Sequence, residues 1–166
     1  MKQHEYDLVF ERIAALHVPW MDWRRLRAQA VIESHLQPDA ISPAGAIGVM
    51  QIMPGTGRDL GYTESDLKNP EKNIDAGIRY MKNMWGLWKS VEDPEERWKF
   101  ALGSYNAGYG HIKAAVNKAR RAHFEHSTWS CVTPVLGQVT GRHARETINY
   151  VARVVRIYRI MTGEIS

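Results

Sequence analysis

The sequence predicts a mainly α-helical single domain over residues 1–166, broken by one short irregular or β insert. Three observations predict it. Apolar residues recur at helical spacing through most of the chain. The strongest cluster of helix breakers, Pro38, Pro43, Gly45, Gly48, Pro54, Gly55 and Gly57, falls in one stretch. The 166 residues are 44% hydrophobic and 24% charged, the balance of a globular chain able to bury one core.

Taken in order, Tyr6, Val9, Phe10, Ile13 and Leu16 mark a first helix that Pro19 closes. Asp22 caps a second, running to about Ser34 with Trp23, Leu26, Ala30 and Val31 inward; Pro38 stops it. Glu33 thereby falls in a last helical turn, at the edge of a loop. Residues 38–57 are too rich in breakers for helix, and Ala46 to Met53 suits a brief strand pair or an irregular turn. Asn73 to Trp88 forms a helix with Ile74, Ile78, Met81 and Trp85 on one face. Glu95 to Tyr105 forms another, opened by Pro94, ended by Gly108 and Gly110, with Trp98, Ala101, Leu102 and Tyr105 in register. A polar helix covers about 111–124. Residues 126–141, HSTWSCVTPVLGQVTG, lack helical period and predict a loop or short hairpin. The last helix, Arg142 to Met161, sets Ile148, Val151, Val155 and Tyr158 against Arg142, Arg145, Arg153 and Arg156.

Composition narrows the chemistry. A net charge of +4 favours anionic partners without choosing among them. Cys131 is the single cysteine, so no internal disulfide forms. Charges at Glu5, Asp7, Glu11 and Arg12 deny the first residues a signal-peptide core, and no apolar run approaches the ~20 residues of a membrane span. His123, His126 and Cys131 match no zinc spacing, so neither a metal nor a cofactor is expected. No GxSxG elbow, GxGxxG turn or phosphate-binding loop occurs. As a nucleic-acid footprint the arginine face would need a reading helix or aromatic platform beside it; a solvated face with attraction to polyanions is the favoured reading, and no nucleic acid is expected.

Glu33 remains. By itself it reads either as a solvated helix-end charge or as a carboxyl in an apolar surround that acts as an acid near neutral pH. Ile47, Val49, Met50 and Met53 supply apolar neighbours in sequence, and Ser42 and Gln51 supply neutral hydrogen-bonding groups suited to sugars.

Glu33-Ser34, Pro38, Ala40, Ser42, Gly45-Ala46, Gly48, Met50 to Pro54 and Thr56 resemble the first motif of the family 1 lytic transglycosylases. Asn73-Ile74, Gly77 and Tyr80 resemble the second motif. Ala101 with Ser104 to Gly108 resembles the third, and Glu146-Thr147, Tyr150-Val151 and Val154 resemble the fourth. The likeness covers about residues 23–158. Val49, Gly103 and Tyr109 depart from the usual leucine, alanine and proline, and 110–146 is the least family-like stretch.

The resemblance implies a lysozyme-like (soluble lytic transglycosylase) fold and cleavage of peptidoglycan between N-acetylmuramic acid and N-acetylglucosamine, leaving a 1,6-anhydro sugar. Glu33 would serve as acid and then base. Tyr105 and Tyr150 would hydrogen-bond near it, Ser42, Gln51 and Asn106 would bind acetamido or hydroxyl groups, and Met53 would shape the groove wall. Asp39, at a variable motif position, is not expected to be a second catalyst, and Glu146 is expected to cap or pair. The competing readings are a hydrolytic muramidase on the same fold and an idle wall-binding part of a phage particle or secretion assembly. Glycan strands are the expected partner, with electrostatic contact to anionic envelope polymers, and the protein is expected to be a monomer. With no export signal, the expectation is a phage endolysin or a product of a specialised secretion machine.

Overall fold

In a computed structural model that describes residues 3–122 and 127–165, the chain is mostly helical. It forms two compact units, one built from the residues up to Lys82 together with the chain from Val154, the other from Asn83–Arg153. Among the described residues no helix is long and apolar enough to cross a membrane.

In the first unit, α1 (Gln3–His17) packs along α2 (Trp23–Ser34). Tyr6, Phe10 and Ile13 bury as predicted, but Leu16 is 73% exposed: the last turn of α1 faces inward through Ala14 instead. Asp22 caps α2 by accepting from the Arg24 N–H at 2.9 Å. Leu26 and Ala30 are buried, whereas Trp23 and Val31 are half-buried: the inward stripe is Leu26 to Ala30 with Ser34. His35, with φ 55°, ends the helix in a left-handed turn before Pro38 is reached.

Residues 35–53 are irregular, the second of the two forms expected there, with single bridges joining Ile41 to Ile47 and Ile47 to Ile52. Two short helices follow that the breaker pattern hid, α3 (Pro54–Asp59) and α4 (Glu64–Leu67). Pro54 occupies the first turn of α3, where its missing N–H costs nothing. α5 (Pro70–Leu87) starts three residues earlier than predicted, with Ile74, Ile78 and Met81 fully buried.

In the second unit, α6 (Pro94–Ala107) and α7 (Tyr109–Arg121) meet at Gly108, whose φ of 87° suits glycine. Gly110 lies inside α7 rather than ending α6. Trp88 stacks on Phe100 at 4.9 Å between ring centres, and Phe100 meets the Trp129 ring edge-on at 5.7 Å.

The loop or hairpin expected in 126–141 is instead a helix, α8 (Trp129–Thr140). Three contacts stabilise it against Pro134 and its β-branched residues. The Glu96 carboxylate accepts the Trp129 N–H at 2.5 Å, serving an N-terminus that Thr128 does not cap. The Thr133 hydroxyl donates to the Ser130 carbonyl at 3.0 Å, the acceptor that Pro134 has no N–H to reach. Trp129, Val132, Val135 and Leu136 are buried, which offsets the weak local preference.

A 3-10 turn, Gly141–His143, leads into α9 (Ala144–Met161). Its buried face is centred on Thr147, Tyr150, Val151 and Val154, a step round from the predicted Ile148 and Val155. Arg145, Arg153 and Arg156 are exposed as predicted, and Arg142 sits in the preceding turn.

Candidate active site

Glu33 lies in the last turn of α2, half-buried, at the border of the irregular segment, where the helix pattern and Pro38 placed it. Its neighbour Ser34 is buried and clamps that segment from both sides. The Ser34 hydroxyl donates to the Val49 carbonyl at 2.8 Å and accepts the Gln37 N–H at 3.1 Å. A residue at the end of a helix is thus tied to the loop that follows it by one buried hydroxyl.

The segment closes on itself through its own backbone and short side chains. Ile47 and Ile52 exchange two backbone hydrogen bonds at 3.0 Å, and Gly48 N–H donates to Ala40 O at 2.8 Å. A Cβ on Gly48, whose φ is 77°, would stand 2.6 Å from Asn73 Nδ2 and 2.9 Å from Leu67 O. Asn73, fully buried on α5, reaches into this space. Its Oδ1 accepts the Met50 N–H at 2.7 Å, and its Nδ2 donates to Ile47 O at 2.8 Å and Leu67 O at 2.9 Å. The second motif therefore serves to hold the first.

Two predicted sugar-binding side chains are partly committed to this loop. Ser42 Oγ accepts the Ala46 N–H at 3.0 Å, leaving its hydroxyl proton to donate elsewhere. Gln51 donates both amide hydrogens, to Ala40 O at 3.2 Å and Gly48 O at 2.9 Å. Only its carbonyl end is left for a ligand. Gln51 also adopts φ 49°, a left-handed backbone that costs a non-glycine residue about 1 kcal/mol and is held by these two bonds. Met53, 43% exposed, precedes α3 as its cap residue. Ser42, Gln51 and Met53 thus belong to one braced segment of the first unit, which Glu33 borders from the end of α2.

Tyr105, Asn106 and Tyr150 belong to the second unit. Tyr105 is half-buried and Asn106 exposed in the last turn of α6, and Tyr150 is buried on α9. Asn106 lines a groove of about 400 Å³ with Ala107, His111, Thr140, His143 and Glu146. His111 Nδ1 lies 2.7 Å from the Ala107 carbonyl. A carbonyl only accepts, so Nδ1 carries the proton and Nε2 is the acceptor of the neutral ring. Glu146, expected to pair, stands 3.6 Å from His143 Nδ1, with both side chains well exposed.

The sequence reading missed Ser34 and Asn73 as braces, and His111, Thr140 and His143 as groove residues. The first two stood inside recognised motifs that name residues but not partners. The other three lie on elements with no motif to mark them. Among the described residues no group of three or more His, Cys, Asp or Glu side chains could hold a metal. Cys131 is half-buried on α8, while His123 and His126 lie outside the described residues.

The family model described as the Transglycosylase SLT domain matches residues 13–128. The membrane-bound lytic murein transglycosylase F of Desulfosudis oleivorans is 33% identical over 151 residues, 84% of this chain and 33% of the relative. The protein of the same name from Vibrio cholerae is 34% identical over 156 residues, 87% of this chain and 29% of its own length. The chain thus spans about a third of the length of the curated relatives it matches. The 70 kDa soluble lytic transglycosylase of Escherichia coli superposes with a TM-score of 0.70 at 24% identity, covering 95% of this chain and 24% of that one. The lytic transglycosylase Slt of Pseudomonas aeruginosa gives 0.71 at 21% identity, covering 96% and 25%. These two likenesses carry the fold.

Proposed function

This chain belongs to the transglycosylase SLT domain family, and from that premise we propose that it cleaves the glycan strands of peptidoglycan with Glu33 as its single catalytic carboxyl. The observation that supports this most is the bracing of Glu33's surroundings. Ser34 and Asn73 fix the segment beside it through buried hydrogen bonds, as a positioned acid requires.

The bond broken is the β-1,4 link between N-acetylmuramic acid and N-acetylglucosamine. Protonated Glu33 gives its proton to the glycosidic oxygen as the bond from that oxygen to the muramoyl C1 breaks. The C6 hydroxyl of the same sugar then attacks C1, and the Glu33 carboxylate takes the hydroxyl proton. The acid is regenerated, and the product is a 1,6-anhydro sugar. Ordinary glycosidases need a second carboxyl as nucleophile or to activate water. Here the nucleophile is tethered to the reacting sugar, so the step is intramolecular and one carboxyl suffices.

In the first unit, Ser42, Gln51 and Met53 contact the strand in this account. In the second unit, Tyr105, Asn106 and Tyr150 carry the binding roles that their motifs imply. Ser42 donates its hydroxyl proton and Gln51 offers its carbonyl, the groups their loop bonds leave over. The exposed Arg145, Arg153 and Arg156 add attraction to anionic envelope polymers.

The test is Glu33→Gln, which keeps the shape and removes the titrating proton. We expect release of soluble fragments from purified peptidoglycan to fall by about 10³-fold or more, with an unchanged helical spectrum. Fragment release surviving the substitution would remove Glu33 from the reaction.

A further inference from the structure

We propose that Gln29, one helical turn before Glu33 on α2, is a positioning residue for the reaction. Its buried amide holds one oxygen of the Glu33 carboxyl through a single ordered water. The inference rests on the reading of Glu33 as the acid of a peptidoglycan-cleaving enzyme.

Gln29 is fully buried, and among the described residues neither its Oε1 nor its Nε2 has a hydrogen-bond partner. The other buried polar residues each have one. Arg27 pairs with Asp7, and Ser34 and Asn73 hold the irregular segment. Ser104 accepts from the Trp88 indole at 2.8 Å, and Thr147 donates to His143 O at 3.4 Å. Taking an amide out of water without replacing its bonds is costly, so this one calls for a partner beyond the protein's own groups.

Its place on the helix points to that partner. Asp22, Arg25, Gln29 and Glu33 follow one stripe of α2, at spacings of three and four residues. The end of α9 covers the start of the stripe. Tyr158 donates to Asp22 Oδ2 at 3.2 Å, and the Arg25 guanidinium lies 5.2 Å from the Tyr158 ring centre. Asp22 also pairs with Arg24, so the charges at that end are engaged there. Farther along, Gln29 and Glu33 are neighbours, with Cβ atoms about 5–6 Å apart as on any helix face. Helical side chains lean toward the N-terminus, which brings the Glu33 carboxyl over the turn that carries Gln29.

An amide serves there without adding a charge. A water between the two side chains accepts from Nε2, donates one hydrogen to Oε1 and donates the other to the nearer carboxyl oxygen. Three bonds are the usual number for a buried water. The nearer oxygen is then held whether Glu33 is protonated or ionised. The outer oxygen, which gives and takes the proton, is left turned to the strand.

The test is Gln29→Met, which keeps the length and removes both polar ends. We expect kcat on soluble glycan strands to fall about tenfold, with KM changed less than about twofold. A bond donated to the carboxyl favours its ionised form, so losing it favours the acid. The alkaline limb of the kcat profile should therefore move up by about 0.5–1 pH unit. Stability in denaturant should be equal or higher, because an unpartnered amide leaves the core. Gln29→Glu, protonated at low pH, keeps a donor and an acceptor and should recover most of the lost kcat there. Parental kcat in the methionine variant, or a lower kcat with the limb unmoved, would overturn the proposal. A crystal structure of the parent chain reads it without any variant. A water bonded to both Gln29 and Glu33 supports it, and an amide bonded elsewhere or without that water overturns it. That readout needs no turnover, so failure of the lytic reading shows separately, as a parent chain that releases no fragments.

Discussion

Asn73 Oδ1 accepts the Met50 backbone N–H at 2.7 Å, joining α5 to the irregular segment that follows Glu33. The same amide donates to Ile47 O and Leu67 O, so one fully buried side chain makes three hydrogen bonds to backbone. Asn73→Ala would strand three buried polar groups, each costing about 1–3 kcal/mol. We expect a loss of about 3–5 kcal/mol in denaturant unfolding. Asn73→Asp keeps the acceptor for Met50 but turns a carboxylate oxygen toward the Ile47 and Leu67 carbonyls in a buried site, and should cost at least as much as the alanine. A loss under about 1 kcal/mol for the alanine variant would contradict the bracing role.

Gly103 departs from the alanine common in the family, and Trp129 supplies the reason. A Cβ on Gly103 would stand 2.5 Å from Trp129 Cη2 and 2.7 Å from Cζ3. Gly103→Ala gains about 1 kcal/mol of helix propensity but must displace a packed ring. A net destabilisation of about 1–2 kcal/mol is expected. Combined with Trp129→Leu, the alanine should cost less than it does alone, a coupling of at least about 0.5 kcal/mol in a double-mutant cycle. Additive effects would show that the ring does not require the glycine.

Asp22 links acid stability to a helix cap. Burial disfavours its charge, but the Arg24 guanidinium and backbone N–H, with the Tyr158 hydroxyl, outweigh burial and hold the carboxyl below its ordinary range. A carboxyl whose pKa is lowered by folding stabilises fully above its unfolded value of about 3.9. That contribution is lost as pH falls through the folded value. Asp22→Asn keeps a capping acceptor without the charge. The variant should be less stable than the parent at pH 7, and the gap should narrow as pH falls below about 4. Denaturant unfolding at several pH values reads this directly, and a gap independent of pH would contradict it.

Much of this was legible in the sequence because local signals agreed with tertiary packing. Asp22 capped α2 as read, and the Ile74, Ile78 and Met81 stripe of α5 is buried. α8 was not legible, since Pro134 and β-branched residues argue against helix locally. Its stability comes from Glu96, Thr133 and the space above Gly103. The place of Glu33 at a helix end was likewise readable from Pro38 and the periodicity. The groove at Asn106 was not, because His111, Thr140 and His143 come from three elements that only folding brings to it.

The central claim is that one carboxyl suffices because the substrate brings its own nucleophile. Mass spectrometry of peptidoglycan digested by the parent chain tests it most directly. The account predicts muropeptides ending in 1,6-anhydro-N-acetylmuramic acid, about 18 Da lighter than their hydrolysed counterparts by the water not added, and their disappearance with Glu33→Gln. Products carrying only free reducing ends would contradict it and make water the nucleophile.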